Sequence, residues 1–544
     1  MAGFALLSAS SCSDFLDTAP YDQLSPATTW KTEQDAEKFL VGCYDGWIDG
    51  YGILYWDCAS DFGYNNFSWE GFKNIGNGSV SAGSGDASYY DFGKIRQCND
   101  FIANIENVPF SDESKKKDMI AQAKVIRAYQ YFNMNWHYGG VPIIESFETS
   151  EDAMVARNTE EEVNKFIENE LDEAIPMFKN DKAETRGYVD RATALALKMR
   201  HALYYGKYER AKSAAKDIID MGIYDLDPDF LHVFSLSGKD SEEIIASAQY
   251  VESLYSNWMI AIMYNNADGG WSSMVPTWNL VDAYEMDNGL TKEEAGDYYN
   301  PVHPFAHRDP RMTATIAFPG CDWVAWYGET IVFNTLDETL ANDLDKDGKP
   351  KKNANYPGNA DNSSKTSLTW GKYTMPITQY GDDMWDTSAC LILFRYAEVL
   401  LSYAEAENEL HGPSSDVYEK INLVRERAGM PKVDEAKYST KETLRELIHR
   451  ERSVEFAGEG LRRADILRWK DASGKMLAET VLNGDLTRRV GTINYDEEDP
   501  YQRAVMSDNS VVIEKRKFDA HNRYLPIPQS AKDKNSKLTQ NPGY

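Results

Sequence analysis

Between Phe394 and Lys470 the chain carries apolar residues at helical spacing, broken twice by turn residues at short intervals. In FRYAEVLLSYAEAENELHG, Tyr396, Val399, Leu400, Tyr403 and Leu410 fall on one helical face. Gly412-Pro413 ends that helix, because glycine accepts a left-handed cap and proline cannot continue the turn. Ser414 or Ser415 caps a second helix with Val417, Ile421 and Val424 inward, closed by Gly429 and Pro431. A third opens on a capping box of Ser439 and Glu442 and carries Leu444, Leu447, Ile448 and Val454. Small residues (Ala397, Ala404, Ala406) sit where backbones must approach, as in tetratricopeptide-type units. Such a stretch builds a scaffold and a docking surface. It holds no catalytic motif.

The same stretch contains Ile448, Glu451-Arg452, Glu455, Glu459-Gly460, Arg462, Asp465 and Arg468-Trp469. This run resembles the C-terminal signature of the SusD/RagB family. Further landmarks follow in matching order: Ser13 to Asp17 with Pro20, Arg127-Ala128-Tyr129, Gly140-Val141-Pro142, Pro276 to Asp282, and Arg308 to Arg311. The tail RYLPIPQSAKDKNSKLTQNPGY, ending at Tyr544, is the most specific of them. The resemblance therefore runs from Cys12 to the last residue. It implies a surface lipoprotein of Bacteroidetes-type bacteria that captures a nutrient for a SusC-like TonB-dependent barrel. The nutrient is usually a glycan, and a peptide in the RagB branch.

The expected fold is mostly α: tetratricopeptide-like helix pairs, about four of them, with a large irregular insertion containing short β-strands. The helical scaffold is placed at 30–225 and 390–470, and loop-rich segments at 50–93 and 225–390, all within a single domain from residue 12. Strand-like runs inside the insertion are Glu243 to Gln249, Thr313 to Phe318 and Glu329 to Phe333.

With 57 basic against 87 acidic residues the net charge is −30, which opposes binding to nucleic acid or an anionic membrane surface. The opening MAGFALLSASSC is apolar and small but lacks the basic start of a signal peptide, so residues 1–11 are expected to be the remnant of one. Cys12 then stands where a lipoprotein is acylated, although Ala9 occupies the position where a lipobox prefers Leu. The resemblance implies lipidation there and anchorage in the outer membrane. The other five cysteines are an odd number without CxxC spacing, which does not point to a disulfide framework.

Two irregular regions mix rings with amides and carboxylates, the combination that stacks on a sugar face and bonds its hydroxyls. One contains Tyr64, Asn66 and Trp69; the other Trp271, Trp323, Trp326 and Tyr327. The resemblance puts the ligand platform in these two regions, so these seven residues are the candidate binding set. Trp278, Trp30 and Trp469 are assigned to structure. Asp343, Asp345 and Asp347 with Gly348 form the first half of a calcium loop, but Ala354 replaces the bidentate glutamate. Calcium is therefore a candidate ion, and no cofactor is required. His303 and His307 have helical metal-ligand spacing, which Pro304 between them disfavours. GxSxG, P-loop and Rossmann fingerprints are absent, and no carboxylate pair stands out as a glycosidase acid and base. The reading is a glycan-capturing protein without catalysis. A peptide-binding protein, a surface glycosidase and a purely structural lid are the alternatives.

Overall fold

The computed structural model describes residues 30–84, 89–147, 149, 151–380 and 383–544. Cys12 and residues 1–11 lie outside them. Helices dominate, and their boundaries follow local chemistry. Helix α1 (Glu33–Tyr44) opens on a Thr32–Asp35 capping box; α2 (Gly93–Ile105) precedes the long α3 (Glu113–Tyr138), which stops on left-handed Gly139. Helix α4 (Glu160–Ala174) has a second capping box, Thr159 with Glu162, and α5 (Arg191–Tyr204) breaks at Gly206 before α6 (Tyr208–Met221). Then come α7 (Tyr396–His411), α8 (Ser415–Arg427), α9 (Lys441–Glu455) and α10 (Arg462–Arg468). The third capping box is one residue later than expected: Thr440 and Thr443 make it, not Ser439 and Glu442.

The helices pack in sequence as α2 on α3, α3 on α4 and α5 on α6, and α7 packs on α8, α9 and also α6. The last contact matters most, because α6 and α7 flank the insertion in sequence. The insertion is closed at its root by an antiparallel ladder of β1 (Ile244–Ala248) and β2 (Leu391–Arg395), with Leu391 opposite Ala248. Helical periodicity can therefore stop at residue 221 and resume at 396 without breaking the stack.

Within the loop-rich segment 50–93, Gly50–Tyr55 and Phe72–Asn77 each make a short helix, the first capped by Asp49. One strand expectation needs correction. Thr313 to Phe318 is mainly the end of a helix, Pro310–Thr315, started by proline at its first turn; only Ile316–Ala317 is strand. A long hairpin, β3 (Gly484–Ile493) with β4 (Ala504–Arg516), was not anticipated.

Glu451, Glu455 and Glu459 of the signature run enter a buried charge cluster (Arg311, Arg395, Arg425, Arg427, Arg450 and Lys372 against Asp309, Glu243, Glu285, Glu451, Glu455 and Glu459). Glu455 takes Arg395 at 2.7 Å, Arg311 at 2.9 Å and Arg427. Six cations meet six carboxylates, so the cluster is neutral although it joins the insertion to α8 and α9. Burial alone would push the Glu455 carboxyl up, but Arg427, Arg395 and Arg311 outweigh it and hold the carboxyl well below the usual range. Gly460 (φ +75°) lies where an added Cβ would come within 2.7 Å of the Ile53 carbonyl, so only glycine fits. No described helix is long and apolar enough to cross a membrane.

Candidate ligand face

One short strand pairing brings the aromatic regions together. Gly63–Asn65 pairs antiparallel with Met274–Pro276, Tyr64 opposite Val275. The contact continues past the strands: the Asn66 amide N–H donates to the Ser273 carbonyl at 2.8 Å, and its side-chain amide donates to the Ser272 carbonyl at 2.6 Å. The loop before Trp69 is thereby stitched to the residues after Trp271. Ser272 takes a left-handed conformation (φ +43°), uncommon for a non-glycine residue, and its amide donates to Tyr264 at 2.9 Å.

Asp268 links this seam to the second region. Its carboxylate accepts the Trp323 indole N–H at 2.6 Å, the Trp326 backbone N–H at 3.0 Å and the Asn265 side-chain amide at 2.7 Å. One buried carboxylate thus orients the Trp323 ring and anchors the backbone at Trp326, in the turn that carries Tyr327. That turn joins strands Asp322–Val324 and Thr330–Val332.

The seven nominated residues divide by exposure. Trp69 (78% exposed), Trp326 (57%), Tyr327 (52%) and Trp271 (41%) present rings to solvent. Trp69 lies stacked on Phe67 with centroids 4.5 Å apart, and Trp326 stands perpendicular to Tyr327 at 5.5 Å. Trp323 is half-buried, an Asp268-held support that packs on Phe333. Tyr64 and Asn66 are buried and correct the expectation of direct contact. Tyr64 fills a small apolar cluster with Val275 and Leu486, and Asn66 spends its amide on Ser272 and Ser363 carbonyls.

Among the exposed rings outside the candidate set, two lie in the chain just before Trp271. Trp258 (43% exposed) lies 6.2 Å from Tyr51, which stacks on Tyr55, and Tyr255 stacks parallel to Tyr250 at 5.6 Å. The loop bearing Tyr255 is tied to Asp386, beside Trp385, whose ring packs on Trp271 at 4.9 Å. Tyr250 and Tyr255, with Tyr44, Trp47, Tyr188 and Arg186, also line a cleft of about 260 Å³. The density of rings at 250–271 was the available signal for Trp258 and Tyr255. Trp385 packing on Trp271 is visible only in three dimensions.

Glu70, next to Trp69, turns its carboxylate to the Asn65 amide, and burial raises its carboxyl above the ordinary value. The acids beside the rings therefore act as braces. The calcium reading is not supported by geometry. Asp343 pairs with Lys351 at 2.7 Å, while Asp345 accepts the amides of Asp347 (2.8 Å) and Lys349 (3.0 Å) in a hairpin turn. The three side chains do not form a metal-holding group, and no group of three or more His, Cys, Asp or Glu among the described residues does. The motif's turn-forming chemistry accounts for it: alternate aspartates and a glycine also suit a tight β-turn. His303 and His307 are engaged separately, with the Ala504 carbonyl and with Asp287.

Comparison with known proteins agrees with this architecture. The model of the SusD family matches residues 232–544, and a second, described as starch-binding associating with outer membrane, matches residues 14–199. A SusD-like protein of Formosa agariphila is 25% identical over 494 residues, covering 85% of this chain and 89% of its own length. The crystal structure of a SusD-like carbohydrate binding protein from Bacteroides fragilis superposes with a TM-score of 0.79 at 26% identity, covering 94% of this chain and all of that one. Another SusD-like protein of the same species gives 0.78 at 25%, covering 97% of this chain and all of that one.

Proposed function

The chain belongs to the SusD family, and we propose that it captures an oligosaccharide at the cell surface and delivers it to a SusC-like TonB-dependent transporter of the outer membrane. The observation that carries the reading is the Asp268-braced face, where Trp271, Trp326 and Tyr327 stand exposed and Trp69 is stitched alongside through Asn66. Exposed large rings fixed by buried polar bonds are costly to leave in water, and they match the flat C–H face of a sugar. Ordering them before ligand arrives lowers the entropy lost on binding. Family membership and the carbohydrate-binding relative support glycan over peptide. In this picture the helix pairs meet the transporter, Cys12 carries the lipid anchor, and the protein leaves its ligand chemically unchanged.

Isothermal titration against neutral and acidic oligosaccharides, and against peptides of similar size, tests the ligand. Glycan binding that Trp69→Ala and Trp271→Ala abolish supports the reading; binding of peptides alone sinks it. New reducing ends after incubation with the bound glycan would instead establish the glycosidase alternative. Co-purification with the transporter, lost when Cys12 and the helical face are altered, tests delivery.

A further inference from the structure

In a chain of net charge −30, a basic side chain usually finds a carboxylate, as Lys372 does with Glu459 and Lys351 with Asp343. Lys73 and Lys365 do not. Neither makes an ion pair among the described residues, yet both are half-buried and held in place. The Lys73 amide N–H donates to the Asn65 side chain at 3.3 Å, and the Lys365 amide N–H donates to the Asn66 side chain at 3.4 Å. Two adjacent buried asparagines thus tie the backbones of both lysines to one seam, close enough for the charge of Lys73 to act on Lys365. The Lys73 ammonium lies 5.1 Å from the Tyr64 ring centroid, a cation–π seat that leaves its N–H groups without a carboxylate partner.

The nearby acids do not neutralise this group. Glu70 is committed to Asn65, and Asp361 influences Lys365 without pairing with it. Burial, with the charge of Lys73, lowers the ammonium of Lys365 from its ordinary range, the mark of a cation short of both water and counter-charge. All of this lies within the seam that joins Trp69 to Trp271, since Asn66 bonds both Lys365 and Ser272.

We infer that Lys73 and Lys365 form a subsite for an anionic substituent, so that the ligand is an acidic oligosaccharide carrying a carboxylate or a sulfate. This rests on the glycan-binding reading above. A sugar stacked near Trp69 would place such a group against the ammonium pair, where a charge-assisted bond is roughly twice as strong as a neutral one.

The test uses the full chain with two matched probe pairs: oligogalacturonate against its methyl ester, and chondroitin sulfate oligosaccharide against the desulfated form. The first pair asks about carboxylate, the second about sulfate. The charged member of one pair should bind about tenfold tighter or more, the scale of one bond to a charged group. Its affinity should fall as salt rises. Lys73→Gln with Lys365→Gln should reduce it to the level of the neutral member while far-UV circular dichroism is unchanged. Equal binding of charged and neutral members, absence of binding by both charged members, or a preference that survives the double variant overturns the inference. If Trp69→Ala and Trp271→Ala still abolish binding in those cases, the platform stands and only the charge assignment falls. If they leave binding intact, the platform reading fails too, and the inference with it.

Discussion

Replacing Glu455 by Gln removes one charge from a buried cluster that is otherwise neutral. Three guanidiniums, those of Arg311, Arg395 and Arg427, converge on this carboxylate. Arg311 retains Asp309 and Glu451, and Arg395 retains Glu243 and Glu459, but Arg427 is left with Glu243 alone. The variant therefore buries one uncompensated positive charge. Breaking a buried pair this way costs about 3–5 kcal/mol, whereas loss of the exposed Lys216–Asp220 pair should cost under about 1 kcal/mol. Domain stabilities are about 5–15 kcal/mol, so the first loss is visible and the second is near the noise. Urea unfolding of Glu455→Gln and Lys216→Ala, followed by circular dichroism, measures both. Adding Arg427→Met to Glu455→Gln restores neutrality and should recover part of the loss. Acid sensitivity supplies a further check. The Glu455 carboxyl is held below its unfolded value, so its stabilisation is complete above about pH 4.5 and is lost as pH falls below it. Glu455→Gln should flatten that acid limb. A cost below about 1 kcal/mol, or a double variant weaker than the single, would refute the charge-balance account.

Trp69→Ala, Trp271→Ala and Trp326→Ala should singly weaken glycan binding about tenfold, and Trp69→Ala with Trp271→Ala together abolish it, at unchanged unfolding midpoint, whereas Asn66→Ala should lower stability by about 1–3 kcal/mol through two orphaned carbonyls. Asp268→Asn, which keeps the shape but weakens the grip on Trp323 and Trp326, should reduce affinity with little change in circular dichroism. Gly460→Ala must move the Ile53 carbonyl and adopt a strained φ, so thermal unfolding should show a loss of more than about 1 kcal/mol. Glu405 is pushed up by burial but held down to about 2 by Arg468 and Arg452, so Glu405→Gln should reduce stability at pH 7 and lose that effect as pH falls from about 4.5 to 2.

The scaffold was legible because most of its long helices are marked locally by apolar spacing and turn residues. Thr32, Thr159 and Gly139 cap where their side chains or missing Cβ require, and the apolar spacing between them has only one solution. The signature residues were recognisable for a different reason. Glu451, Glu455 and Glu459 lie four apart on the end of α9 and just beyond, so one buried side collects guanidiniums from the insertion, from α8 and from the start of α7. Neutrality of such a knot fixes residue types rigidly. The ligand face obeys no comparable local rule. In Gly63–Asn65 every residue is buried, so strand alternation cannot separate Tyr64, which is inside, from Trp69, which is not. Asp268 is one of 87 acidic residues, and nothing in its neighbours marks it as the brace of two tryptophans more than fifty positions away. The calcium motif is ambiguous in sequence because aspartates and glycine serve a β-turn as well as an ion, and only convergence of their oxygens decides between them. Specificity on this face is thus written in long-range pairings, Asn66 with Ser272 and Asp268 with Trp323. A substitution at Asn66 or Asp268 should therefore change the ligand preference of the face although neither side chain is one of its exposed rings.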